Sequence, residues 1–274
     1  MTKHKTQRAV LFVIALLVSL LILFPIAWVL ISSFKGGNEI FAWPPTLFPK
    51  HATLENYVYA FRKGNFVLYF KNSGIVAISS TLFAIVINFM AGYAFAKYRF
   101  KGRDGIFLFF ISTLMLPLEV LMIPIFQVVK FFGLYNSLLG IIIPPAATPT
   151  GVFIVRQYFL AVPDELMEAA RIDGAGEAQI MTRIMVPLAK PIISVLAIFN
   201  FMWRWNDYMW PLIVLRDSGK YTVQLALQTF AGVYSVDWNS LLAMSVITMI
   251  PMLIIFIIFQ RQFVQGIATS GLKE

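Results

Sequence analysis

Six polar side chains fall in or near long apolar runs of this chain: Asn88, Glu119, Asn200, Arg204, Asn206 and Asp207. In hydrocarbon each needs a partner or water, so such residues mark internal bonds or a wetted pathway. Arg204 is the most demanding, since an arginine at a helix centre costs roughly 2.5 to 3.5 kcal/mol on insertion scales. Asp207 follows three residues later, shares a helix face with it and can partly neutralise it. Two readings stand. In one, Arg204 and Asp207 form a structural ion pair, and Trp203, Trp205 and Trp210 form an interfacial belt. In the other, Asn200, Arg204 and Asn206 line a translocation cavity and offer hydrogen bonds to solute hydroxyls. Asn88 joins that cavity or serves as interhelical glue. Glu119, between Pro117 and Pro124, is expected near an outer mouth rather than in a proton relay.

A second constellation lies outside the apolar runs. Between the fourth and fifth of them about 30 residues read as two short helices, too polar to span a bilayer. Val162-Pro163-Asp164-Glu165 is a helix start: proline suits the first turn, and acids complement the positive helix end. Leu166, Met167, Ala169, Ala170 and Ile172 are expected to form its apolar face, and Gly174 and Gly176 its stop. Ile180, Met181, Ile184 and Met185 then repeat at helical spacing as far as Pro187. Small residues at Ala169, Ala170 and Gly174 let this backbone lie close against another protein, with Glu168, Arg171 and Asp173 free for polar contacts at the rim. The alternative is an amphipathic helix on lipid headgroups, which wants a Lys/Arg-rich polar face that this segment lacks.

Composition says what must position these groups. Of 274 residues 59% are hydrophobic and 13% charged, more apolar surface than one soluble core can hide. Cysteine is absent, which removes disulfides, thiolate nucleophiles and Cys-built metal sites. The two histidines, His4 and His51, flank apolar runs, so neither a metal site nor an intramembrane enzyme is expected. The net charge of +9 is spread in small clusters beside those runs, as membrane topology requires, rather than gathered for nucleic acid. Gly219-Lys220 is followed by Tyr221 and lacks the earlier glycine of a phosphate loop. No ATPase motif is read, so any nucleotide energy has to come from another polypeptide.

Six spans are expected, near Ala9–Ile31, Ser73–Ala96, Ile106–Gln127, Leu138–Phe159, Pro191–Tyr208 with fraying toward Leu215, and Leu241–Phe259. The first resembles a signal peptide but is long and lacks a small-residue cleavage site, and it is read as an uncleaved span. Both termini are expected in the cytoplasm. That choice puts Lys3, Lys5, Arg8, Lys97, Arg99, Lys101, Arg103, Arg156, Arg171, Arg183, Lys190, Arg261 and Lys273 inside, against Lys35, Lys50, Arg62, Lys63, Lys71, Lys130, Arg216 and Lys220 outside. The reading is a cytoplasmic N-terminus at 1–8, a six-span transmembrane domain at 9–264 with an external loop at 32–72 and a cytoplasmic loop at 160–190, and a cytoplasmic tail at 265–274. In the external loop Trp43-Pro44-Pro45 and Pro49 disfavour regular helix, and a short amphipathic helix is expected at Leu54–Phe61. Ile143-Pro144-Pro145 and Pro149 should interrupt the fourth span, as a hinge or as plain packing.

The spacing of Glu168-Ala169-Ala170, Gly174, Ile184 and Pro187 resembles the cytoplasmic signature of membrane subunits of ATP-binding-cassette importers. The run Glu165 to Ala175 is similar to the coupling region of carbohydrate importers, of the type of the maltose importer's smaller permease, with Val186 where that family has leucine. The likeness extends to Thr53-Leu54-Glu55-Asn56-Tyr57, Asn72-Ser73, Gly92-Tyr93-Ala94-Phe95-Ala96, Trp205-Asn206-Asp207, and Gly266, Gly271 and Lys273. It implies an all-α membrane protein of six transmembrane helices, with type I importer architecture, in a bacterial or archaeal cytoplasmic (inner) membrane. It also implies a coupling helix carrying Glu168, Ala169, Ala170, Asp173 and Gly174 that docks in an ATPase. The partners implied are a second permease subunit, most simply as a heterodimer, a cytoplasmic ATPase dimer that binds ATP and Mg in place of any cofactor in this chain, and an external solute-binding protein. Gln265 to Glu274 can reach the ATPase pair. The implied cargo is a sugar or oligosaccharide; a sugar derivative such as glycerol phosphate is the alternative. An ion-coupled carrier is a different class, and Glu119 and Asp207 offer it little.

Overall fold

The computed structural model describes residues 2–232 and 236–271, with side chains described as far as residue 260. Among the described residues every regular element is helical. Four helices are long and apolar enough to cross a membrane: Gln7–Ser32, Phe66–Lys97, Leu139–Leu160 and Trp238–Gln260. Two bent pairs pass the same test together, Arg103–Met115 with Leu118–Phe131 at 113°, and Glu177–Leu188 with Lys190–Trp205 at 76°. The spans number six if each bent pair counts as one.

The first bent pair corrects the expectation of a continuous third span at Ile106–Gln127. Leu116 and Pro117 adopt extended or turn backbone (ψ 127° and 136°) between the two helices. Proline lacks the N–H that would continue the ladder and forces the preceding residue out of the helical region. Glu119 sits exposed in the first turn after the break. The fourth span is interrupted where its prolines stand: a 3₁₀ turn covers Pro144–Ala146, Ala147 is extended, and helix resumes at Pro149–Leu160. The Thr148 hydroxyl accepts the Gly151 N–H at 3.2 Å, capping the resumed helix. The fifth span ends at Trp205, earlier than expected, and a separate helix follows at Met209–Val214.

The chain forms two compact units, residues 1–67 with 226–250, and residues 68–225 with 251–274. In the first, the expected short helix appears at Glu55–Lys63. It is tied to the preceding turn by Asn56, whose amide donates to the Ser33 and Lys35 carbonyls at 2.8 Å each. Lys35, counted above among outside charges, is fully buried: its ammonium donates to the Thr46 carbonyl and lies 4.5 Å from the centre of the Trp28 ring.

The second unit holds two apolar clusters. One gathers Val76, Val129, Ile141, Ile142, Trp210, Val214, Leu215 and Leu225. The other gathers Phe89, Tyr93, Val155, Phe159, Met167, Ala170, Ile180, Met185, Ala189 and Leu196, joining helix Phe66–Lys97 to helix Pro149–Leu160 and to the polar hairpin beyond it. Close approach at Gly92 permits this packing, because a Cβ there would stand 2.8 Å from the Val152 carbonyl oxygen.

Candidate functional site

The hairpin forms as its residues dictate. Helix Glu165–Ile172 begins after Pro163 and carries Glu165 and Glu168 in its first turn. Gly174 ends it in the left-handed region at φ 81°. The Ala175 N–H donates to the Ala170 carbonyl at 2.9 Å and the Gly174 N–H to the Arg171 carbonyl at 3.0 Å, the paired bonds of a Schellman motif. A Cβ on Gly174 would meet nothing within 4 Å, so backbone conformation rather than space calls for glycine. The return arm is irregular: Glu177–Gln179 is α-helical, Ile180–Met185 is a π-helical turn, and Val186–Leu188 closes it.

Burial divides the first helix differently from the expected apolar face. Met167 and Ala170 face the core at 3% and 7% exposure, whereas Leu166 and Ile172 stand out at 44% and 86%. Ala169 is exposed as well. The outward side therefore carries an apolar patch left exposed among the described residues. Around it, Glu165, Glu168 and Asp173 are exposed and make no side-chain ion pair or hydrogen bond among the described residues. Arg171 is committed elsewhere: its Nε donates to Glu177 Oε1 at 2.7 Å. Of the three side chains expected at a polar rim, Glu168 and Asp173 remain free and Arg171 does not.

The end of helix Phe66–Lys97 holds this hairpin. The Lys97 ammonium donates to both the Val162 carbonyl and the Asp164 carboxylate. Its bond and positive charge keep the Asp164 carboxyl below the usual carboxylate range. The Tyr98 hydroxyl donates to Glu177 Oε2 at 2.6 Å, and burial with that bond raises its pKa. Tyr93 reaches Met167 Sδ at 3.7 Å and packs edge-on against Tyr98 and Phe159. These hydrogen bonds join residues 65 to 79 apart in sequence, so no local pattern announces them.

The intramembrane polar residues Asn88, Asn200, Arg204, Asn206 and Asp207 each have a hydrogen-bond partner within the chain. Asn88 is fully buried, and its amide oxygen accepts the Thr148 N–H at 2.8 Å while its amide nitrogen donates to the Thr148 hydroxyl at 3.2 Å. It is glue across the interrupted span. Asn200 and Asn206 each return a hydrogen bond to their own helix, at the Leu196 and Met202 carbonyls. Asn206 also accepts from Gln224 at 3.3 Å. Arg204 Nη1 donates to Asp207 Oδ2 at 3.1 Å, and Asp207 Oδ1 accepts the Trp210 N–H at 3.2 Å, which starts the helix at Met209. The tail from Gln265 continues as helix to Gly271, and residues 272–274 lie outside the described residues.

Comparison with known proteins agrees with this architecture. The family model described as "Binding-protein-dependent transport system inner membrane component" matches residues 84–269. The chain is 38% identical over 259 residues to the arabinooligosaccharides transport system permease protein AraQ of Halalkalibacterium halodurans, covering 93% of each. It is 32% identical to the sn-glycerol-3-phosphate transport system permease protein UgpE of Yersinia pestis, covering 92% of each. Its fold matches, at a TM-score of 0.83 and 24% identity, a chain from the crystal structure of a bacterial ABC transporter involved in the import of the acidic polysaccharide alginate, with 95% of this chain and 98% of that one covered. The chain therefore belongs to the binding-protein-dependent transport system inner membrane component family, the multi-pass permeases of ATP-binding-cassette importers.

Proposed function

We propose that this chain forms half of the transmembrane pathway of a sugar or oligosaccharide importer in a bacterial or archaeal inner membrane. The hairpin at 160–190 faces the cytoplasm, as do both termini, and docks helix Glu165–Ile172 into a separate ATPase dimer that binds ATP and Mg. On the outward side Ala169 and Gly174 allow close approach and Glu168 and Asp173 supply polar contacts, whereas Ala170, expected in the contact, packs inward. A second, different permease subunit completes the cavity, and an external solute-binding protein delivers the cargo.

The observation that carries this reading is the outward side of the hairpin. Leu166, Ala169 and Ile172 form an uncovered apolar patch ringed by the unpaired acids Glu165, Glu168 and Asp173. Acids repel the anionic headgroups of a bilayer surface, whereas a protein cleft with basic groups complements them. Sugar as cargo is supported by the arabinooligosaccharide relative. The glycerol phosphate alternative wants a free cation, and Arg204 is already neutralised by Asp207.

Because the chain has no cysteine, one introduced thiol labels a single site. Ala169→Cys in the assembled transporter is expected to crosslink to the ATPase, and Gly174→Pro to abolish uptake while membrane insertion persists. A thiol at 169 that reacts only with lipid-soluble probes would defeat the reading.

A further inference from the structure

Three covalent or packed routes lead from the hairpin into the rest of the second unit. The return arm enters helix Lys190–Trp205 through a π-helical turn and a 76° bend, with Thr182 bonding back to the Ala178 carbonyl at 2.7 Å. The same arm is packed into the core, with Ile180, Met185 and Ala189 fully buried. The entry from helix Pro149–Leu160 passes through the non-helical Val162 and Pro163, and the Val162 carbonyl is held by Lys97. The third route runs across space to the end of helix Phe66–Lys97, and it is the one made of side-chain bonds between elements distant in sequence: Lys97 to Asp164, Tyr98 to Glu177, which Arg171 braces from within the hairpin, and Tyr93 against Met167.

We propose that Lys97 and Tyr98 form a clasp that makes helix Phe66–Lys97 the principal carrier of hairpin motion into the membrane domain. Lys97 grips the hairpin before its first helix, and Tyr98 grips it after its Schellman turn, so the two bonds bracket the docking helix. Near its other end the same helix is bonded to a different loop: the Asn72 amide donates to the Gly219 and Tyr221 carbonyls at 3.1 and 3.0 Å, and the Ser73 hydroxyl accepts the Val223 N–H at 2.7 Å. A push on the hairpin is thus delivered along one unbroken helix of 32 residues to the 216–223 loop. Lys97 and Tyr98 are positioning residues that touch neither cargo nor nucleotide.

This inference rests on the docking reading above, and its test separates the two. The complete transporter, with ATPase and binding protein, is reconstituted in liposomes, and solute uptake and stimulated ATP hydrolysis are measured together. Lys97→Met and Tyr98→Phe are expected to cut uptake at least about tenfold while the ATPase still copurifies and basal hydrolysis persists. Charge exchange in Lys97→Asp with Asp164→Lys is expected to recover part of it. A second test is independent of side-chain chemistry: Tyr98→Cys with Glu177→Cys is expected to lose uptake when reduced and regain it when a short crosslinker joins the two thiols. Normal docking with unchanged uptake in the variants, or crosslinking that blocks uptake, would overturn the clasp. A wild-type chain that never copurifies with an ATPase would overturn docking and clasp together.

Discussion

Gly92 on helix Phe66–Lys97 faces Val155 on helix Pro149–Leu160 so closely that a Cβ on the glycine would lie 2.6 Å from the Val155 Cβ. The contact sets the spacing of two helices whose ends bear the clasp and the start of the hairpin. Gly92→Ala is expected to force the helices apart at a cost of about 1–3 kcal/mol, read as a lower unfolding temperature in detergent. Combining it with Val155→Ala is not expected to recover the loss, because alanine keeps the obstructing Cβ and the Val152 carbonyl oxygen at 2.8 Å is backbone. Wild-type stability in the single variant would contradict the packing described.

Gly174 presents the opposite case, where space is free and backbone geometry is the constraint. Gly174→Ala is expected to cost about 1 kcal/mol, the ordinary penalty of an L-residue in the left-handed region, and Gly174→Asn less. Gly174→Pro cannot reach φ 81° at all and is expected to unwind the Schellman turn. Proteolytic nicking across residues 172–176 should rise in the order Asn, Ala, Pro. An equal response to all three would mean that the turn is not held in that conformation.

The Arg204–Asp207 bond predicts a sign that distinguishes structure from recognition. Both side chains are largely shielded, at 15% and 16% exposure. Asp207→Asn leaves a shielded arginine uncompensated and is expected to destabilise more than Arg204→Met with Asp207→Asn together. The measurement is a double-mutant cycle on thermal stability. If Arg204 instead contacts cargo, the double variant will be as stable as wild type yet fail to bind solute.

The Lys97–Asp164 bond also fixes a pH response. Because Lys97 holds the Asp164 carboxyl below its ordinary range, the bond stabilises the hairpin at every pH above the free value of about 3.9. That contribution is lost only as pH falls through the lowered folded value. Amide exchange in residues 164–176, corrected for intrinsic rates, is expected to stay protected from pH 7 to about 5 and to rise near pH 3. Asp164→Asn should shrink that step, the remainder belonging to the Glu177 carboxyl, which Arg171 and Tyr98 also hold below its ordinary range, and loss of protection already at pH 6 would point to a different group.

Much of the architecture was legible from local order. Apolar runs about twenty residues long specify membrane helices wherever they fold, since backbone groups in lipid have no other partner. Proline identified the interruption at 143–149, and the Asp164 to Gly176 punctuation identified the hairpin, because caps and left-handed turns are short-range chemistry. Pro117 carries the same signal inside Ile106–Gln127, where one span is expected and the helix breaks instead.

Which side of each element would be buried was decided elsewhere. The sequence by itself determined that helix Glu165–Ile172 is amphipathic with a small-residue centre; tertiary packing decided that Met167 and Ala170 turn inward while Leu166 and Ile172 stay bare. It determined that Asn88 and Arg204 need partners in an apolar setting and offered Asp207, three residues on, for Arg204, but only the folded chain assigned Thr148, sixty residues away, to Asn88. Lys97 reads in the sequence as one more positive charge at a membrane edge, and Lys35 as another. Their roles, holding Asp164 and filling a buried niche beside Trp28, depend on groups brought together by chain reversal, and the physical reason is that periodicity and capping act over a few residues whereas side-chain bonds act over a few ångströms, wherever in the chain their partners originate.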